Sequence, residues 1–250
     1  MSAHTAPRFT ADALQRILRG GLIVSCQALE GEALHGADMM ARMALAAVRG
    51  GAVAIRANSP DDVAAIRAQV SVPVIGLWKR DLPGFDVRIT PRLSDALALA
   101  DAGADIIACD ATDRPHPEGR SDELIAAIIK ETSTPILADV ATVKEAEAAI
   151  TAGASFAATT LSGYVELPTP EDPDIALVAE LASAIGSERT IAEGRYRTAS
   201  QIAAALRAGA LAVCVGGAIT RPTEITERMI RDVRREGAAL RSESWAKSEY

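Results

Sequence analysis

Four short stretches of the chain repeat one design: "RGGAVAIRAN", "DAGADIIACD", "TAGASFAATT" and "RAGALAVCVG". Each is the end of a helical pattern, a glycine suited to a left-handed C-terminal cap, and an apolar run rich in strand formers. Helical patterns such as "DMMARMALAAVR" and "ASQIAAALR" separate the runs. The spacing predicts strands near 21–27, 52–57, 73–78, 105–110, 135–139, 155–160, 190–193 and 211–216. Helices are predicted near 37–49, 60–69, 93–102, 121–131, 142–151, 173–185, 198–207 and 222–236. A further helix near 10–19, with Thr10 as its N-cap, would cover the bottom of the fold. Strands buried on both faces and alternating with helices imply a parallel sheet. Eight such units in 250 residues predict one α/β domain, a single (β/α)8 TIM barrel with its core over about 20–236 and polar tails outside it. An open doubly wound sheet would normally carry a Gly-rich turn after its first strand, and "VSCQALEGEALHG" is not one.

Composition removes several classes of function. A net charge of −7 argues against a nucleic-acid binder, and the basic stretch "ERMIRDVRREGAALR" reads as the solvated face of a late helix. No apolar run approaches the roughly 20 residues needed to span a membrane, and "MSAHTAPRFTADALQRILRG" lacks the apolar core of a signal peptide. Cys26, Cys109 and Cys214 lie unpaired in apolar runs, which suits reduced core thiols in a cytoplasmic protein. His4, His35 and His116 are scattered over a tail and two loops and form no metal-ligand pattern.

Active sites of such barrels lie at the C-terminal ends of the strands. There the chain places Gln27, Arg56, Lys79, Asp110, Asp139, Thr160 and Glu193, followed by Gly216 and Gly217. One polar strand end is ordinary, but seven converging on one rim need mutual pairing or a ligand. Lys79 stands out because the chain has only four lysines, the others being Lys130, Lys144 and Lys247, against 22 arginines. A buried lysine can give up its proton or form a Schiff base, which arginine cannot. The pair in "VCVGGAITRP" lets backbone N–H groups approach a phosphate, to which Gly194 and Arg195 would contribute from the seventh loop and Arg221 from the eighth.

The motifs "LIVSCQAL", "MARMALAAVRGGAVAIRAN", "PVIGLWKRD", "ITP", "AGADIIACDAT", "ILADV", "TTLSGY", "IAEGR" and "VGGAITRP" resemble the N-acetylmannosamine-6-phosphate 2-epimerases, in order, from about Gly21 to about Ile230. The resemblance implies cofactor-independent interconversion of N-acetylmannosamine 6-phosphate and N-acetylglucosamine 6-phosphate in sialic-acid and amino-sugar catabolism, by a homodimer. It puts the catalytic lysine and glutamate at Lys79 and Glu193, sugar-binding positions at Gln27, Arg56 and Asp139, and phosphate-binding positions at Gly216, Gly217 and Arg221. The chain departs from the family pattern at Trp78, at Arg88 and Arg92 in "VRITPR", and in "LPTPEDPD". Epimerisation at C2 needs a base, an acid and donors for an enolate oxygen. Lys79 on the third strand and Glu193 on the seventh would face each other across the mouth. Two other readings stay open on residue types: a Schiff-base aldolase using Lys79, and a non-catalytic sugar-phosphate sensor.

Overall fold

In the computed structural model, which describes residues 7–165 and 169–246 (side chains to 237), eight parallel strands close into a barrel in sequence order. The strands are β1 Gly21–Cys26, β2 Ala54–Asn58, β3 Val74–Leu77, β4 Ile106–Asp110, β5 Ile136–Asp139, β6 Phe156–Ala158, β7 Thr190–Glu193 and β8 Ala212–Val215. The helices are α1 Ala11–Leu18, α2 Ala37–Arg49, α3 Pro60–Arg67, α4 Leu93–Asp101, α5 Ser121–Thr132, α6 Val143–Thr151, α7 Ile175–Ile185, α8 Ala199–Arg207, α9 Gly217–Thr220 and α10 Pro222–Ala246. His4 and Lys247, assigned to polar tails, lie outside the described residues.

Local chemistry explains the repeat. After α4 and α6 the chain turns through Gly103 (φ 91°) and Gly153 (φ 109°), a region costly for any residue with a Cβ. Thr142 and Thr198 cap α6 and α8 in reciprocal boxes with Glu145 and Gln201, each cap contributing about 1 kcal/mol. Thr10 caps α1 as expected, through Ala13 N–H.

Successive strand residues point to opposite faces, and this parity sorts the core. Ile23, Ile75, Ile106, Leu137, Phe156 and Ile191 fill the barrel interior, plugged from below by Leu14 and Leu18 of α1. Val24, Ile55, Val74, Ile107 and Ala138 point outward against the helices.

Three elements differ from expectation. The sixth strand stops at Ala158, and a 3-10 turn, Thr159–Leu161, follows it. The eighth stops at Val215, and the glycine pair opens the short helix α9. The last helix runs on to Ala246 rather than 236, so part of the C-terminal tail is helical. α10 packs chiefly on α9 and leaves Met229, Ile230 and Val233 exposed.

Two seams of the barrel are short. β3 and β4 pair only at Ile75↔Ile106 and Gly76↔Ile107, and β6 and β7 only at Ala157↔Thr190 and Ala158↔Ile191. Above the first, the loop after β3 folds back, bridging Lys79 to Ile89. Thr90 accepts from Trp78 N–H (3.0 Å) and donates to the Ala108 carbonyl (2.6 Å), stitching β3 to β4 with its hydroxyl. Above the second, the Thr159 hydroxyl accepts from Glu193 N–H (3.0 Å) and donates to the Glu193 carbonyl (2.8 Å).

Candidate active site

The inward parity carries straight into the rim. Two residues beyond inward Ala54 lies Arg56, and two beyond Leu137 lies Asp139. Lys79, Thr160 and Glu193 stand in the same relation to Leu77, Ala158 and Ile191. They line one cavity of about 770 Å³, except Asp139, which lies beneath it, a size suited to a small ligand.

Arg56 is the hub. It is the middle residue of β2, not its end, and only 1% exposed. Its Nη1 donates to Asp139 Oδ1 (3.0 Å), its Nη2 to Asp139 Oδ2 (2.6 Å), and Nη1 also reaches Thr160 Oγ1 (3.3 Å) and Glu193 Oε2. The Thr160 hydroxyl donates to Asp139 Oδ1 at 2.5 Å. Burial disfavours the guanidinium charge, but Asp139 and Glu193 outweigh it and hold Arg56 above its usual range. Burial pushes the Asp139 carboxyl up to about 6, against the pull of Arg56 and helped by the charge of Glu193. A buried carboxylate held this way is strongly oriented, so the arginine fixes Glu193 at the rim.

Lys79 lies two residues past β3, held by its bridge to Ile89 and by a 2.8 Å bond from its N–H to Asn58 Oδ1. Burial, then the charges of Arg56 and Arg221, push its ammonium down to about 8. A free amine is therefore accessible near neutral pH, which is what a proton-transferring lysine requires.

The remaining candidates divide. Gln27 is buried, lines the cavity, donates to Ser25 Oγ (2.8 Å) and leaves its own buried Oε1 without a partner. Asp110 lines the cavity but is tied to Arg114 Nη2 (2.6 Å) and the Thr112 hydroxyl (2.6 Å), apart from the Arg56 hub. Gly216, Gly217 and Arg221 come together on the β8 side of the mouth. Gly194 turns the chain at φ 109°, beside the Thr159 and Thr160 carbonyls. Arg195 spends its guanidinium on the carbonyls of Ser162 (2.5 Å) and Asp172 (2.7 Å) and stacks on Tyr164. Arg195 therefore braces its loop while still lining the cavity.

Sequence reasoning missed Ser25 and Asn58, although both share the inward parity of Gln27 and Arg56. It also read the late basic stretch as solvated only, whereas Arg228 and Arg231 of α10 line the cavity. Trp78 stacks under Arg80 (4.3 Å), away from the hub, and Arg92 pairs with Asp95 at the start of α4. Arg88 lines the cavity while paired with Asp81 (2.6 Å).

The family model described as "Putative N-acetylmannosamine-6-phosphate epimerase" matches residues 40–235. The chain belongs to this epimerase family. A relative from Caldanaerobacter subterraneus subsp. tengcongensis, named "Putative N-acetylmannosamine-6-phosphate 2-epimerase", is 48% identical over 222 residues, 88% of this chain and 93% of that one. One of the same name from Shigella dysenteriae is 49% identical over 208 residues, 83% and 89% of the two chains. A solved structure of the N-acetylmannosamine-6-phosphate 2-epimerase from Clostridium perfringens superposes with a TM-score of 0.83 at 35% identity, covering 92% of this chain and 99% of that one. Membership of the epimerase family favours neither the aldolase nor the sensor reading.

Proposed function

We propose that the chain is an N-acylglucosamine-6-phosphate 2-epimerase, interconverting N-acetylmannosamine 6-phosphate and N-acetylglucosamine 6-phosphate. One observation carries this reading: a lysine amine depressed to about 8 sits at the same cavity as a glutamate locked by a buried arginine. In the open-chain sugar, a base removes the C2 proton. The C–H electrons become the C1–C2 double bond of an enolate, and the C1 carbonyl pair moves onto oxygen. Lys79 and Glu193 rise from opposite sides of the ring, on the third and seventh strands, so one can take the proton and the other return one to the far face. No electrons are gained or lost overall, and the reading needs no cofactor. Gln27, Arg56, Asp139, Asp110 and Thr160 bind or orient the sugar end, and Gly216, Gly217 and Arg221 hold the phosphate. Remote phosphate binding then helps organise the reacting carbon.

Turnover in D₂O should place deuterium at C2 of the product. Borohydride added during turnover should leave Lys79 unmodified and no carbonyl fragment should appear. A reduced adduct on Lys79 would transfer the case to Schiff-base chemistry.

We also infer a cytoplasmic homodimer. Three buried free thiols suit a reducing compartment, and among the described residues no helix is long and apolar enough to cross a membrane. Met229 (63% exposed) and Val233 (68%) form an apolar strip on α10 that a second copy would cover. Light scattering should give twice the 26.1 kDa chain mass, and Val233→Asp should shift it toward the monomer. A monomeric wild type at micromolar concentration would end this reading.

A further inference from the structure

On the β8 side of the mouth, Arg221 is not free. Its Nη1 donates to Glu224 Oε1 at 2.6 Å, and its Nη2 to Glu32 Oε1 at 3.2 Å from the loop after β1. The other oxygen of Glu224 lies against Gly217, so close that a Cβ there would run into the carboxylate. Glu224 itself lines the cavity. One carboxylate thus touches both groups, the guanidinium and the open glycine face, that the proposed phosphate would need.

We propose that Glu224 competes with the substrate's phosphate for Arg221 and for the open face of Gly217, so that one or the other holds the cradle. The inference rests on the phosphate assignment above. Glu224 starts on α10, and its side chain is 50% exposed while Arg221 is 31% exposed. An ion pair so open to water contributes little and exchanges readily. A phosphate monoester near neutral pH carries close to two negative charges and three acceptor oxygens, against a single charge on Glu224, so the dianion displaces the carboxylate. A neutral hydroxymethyl group does not. Glu224 is therefore a specificity-determining residue, since a sugar without phosphate leaves Arg221 paired and the glycine covered. Glu32 decides between competition and support. It gives Arg221 a second anchor, so the guanidinium keeps its place when Glu224 swings away. Glu224 is then not needed to orient it.

Calorimetric titration of the full-length protein with orthophosphate tests this without turnover. Glu224→Gln and Glu224→Ala should each bind orthophosphate about threefold to fivefold more tightly than wild type, the scale of losing one exposed competing pair. Unchanged or weaker binding in the two variants, with thermal melts matching wild type, would overturn the inference and make Glu224 a support for Arg221. Gly217→Val is the separate control for the cradle. It should abolish orthophosphate binding, and if it binds as wild type does, the phosphate assignment itself fails. Loss in Gly217→Val with no gain in either Glu224 variant removes only the competition.

Discussion

Lys79→Arg should cost about 10²-fold or more in turnover while leaving sugar-phosphate binding largely in place. The substitution keeps the positive charge and removes the ability to release a proton near neutral pH. The wild-type pH profile supplies the matching sign. Burial and the charges of Arg56 and Arg221 bring Lys79 down to about 8. Below that pH the side chain already carries the proton it would have to accept, and above it the amine is free. In the direction where Lys79 is the base, kcat/KM should therefore rise as pH increases through about 8. Glu193→Gln tests the other partner, because an amide keeps the shape and the reach to Arg56 but cannot act as a base. It should lose turnover on the same scale. Activity of Lys79→Arg within tenfold of wild type would remove the lysine from proton transfer.

Arg56→Met should lower the unfolding free energy by about 3–5 kcal/mol at pH 7.5, because it strands two carboxylates beside each other in the barrel. Asp139 is fully buried and Glu193 is 14% exposed. Asp139 already sits at about 6 with the arginine present, so without it the folded-state value rises further above the unfolded one. A group with a raised folded value costs stability when ionised, and that cost fades as pH falls through the folded value. Urea melts should therefore show the deficit shrinking between pH 7.5 and 5. A loss below about 1 kcal/mol, or one independent of pH, would show that the hub is not what holds these carboxylates. Activity should also collapse, since Glu193 loses the group that positions it.

The barrel and most of its rim were legible because both rest on short-range periodicity. Period-two alternation puts Ala54, Arg56 and Asn58 on one side of the second strand, and glycine-capped helix ends set the eightfold count. The same parity carries Leu77 to Lys79 and Ile191 to Glu193. What escaped depends on contacts between segments far apart in sequence. Nothing local to "RITPR" says that Thr90 stitches a seam, or that Arg195 bonds to Asp172, 23 residues earlier. Strand position puts Asp110 on the rim, but nothing local shows that Arg114 and Thr112, in the loop that follows, pair with its carboxylate. The short helix α9 was missed because a glycine pair reads as a turn, whereas Thr220 N–H closes a helical turn on the Gly216 carbonyl (3.0 Å) and the Thr220 hydroxyl anchors it to the Ser25 carbonyl of β1 (2.8 Å).

The two threonine-stitched seams have a consequence for motion. Lys79 and Glu193 each stand beside a seam with only two paired positions, finished by a side-chain hydroxyl instead of further backbone ladder. Opening a stitch breaks about two hydrogen bonds, a cost on the order of 1–3 kcal/mol, well below that of taking the ring apart. The rim next to Lys79 or Glu193 can thus breathe on its own while the long seams, β1 to β2 and β4 to β5, stay shut. Amide exchange should register this as earlier labelling at Trp78 and Glu193 than at the amides of the long seams, placing the easiest local opening beside the two groups proposed to move the proton.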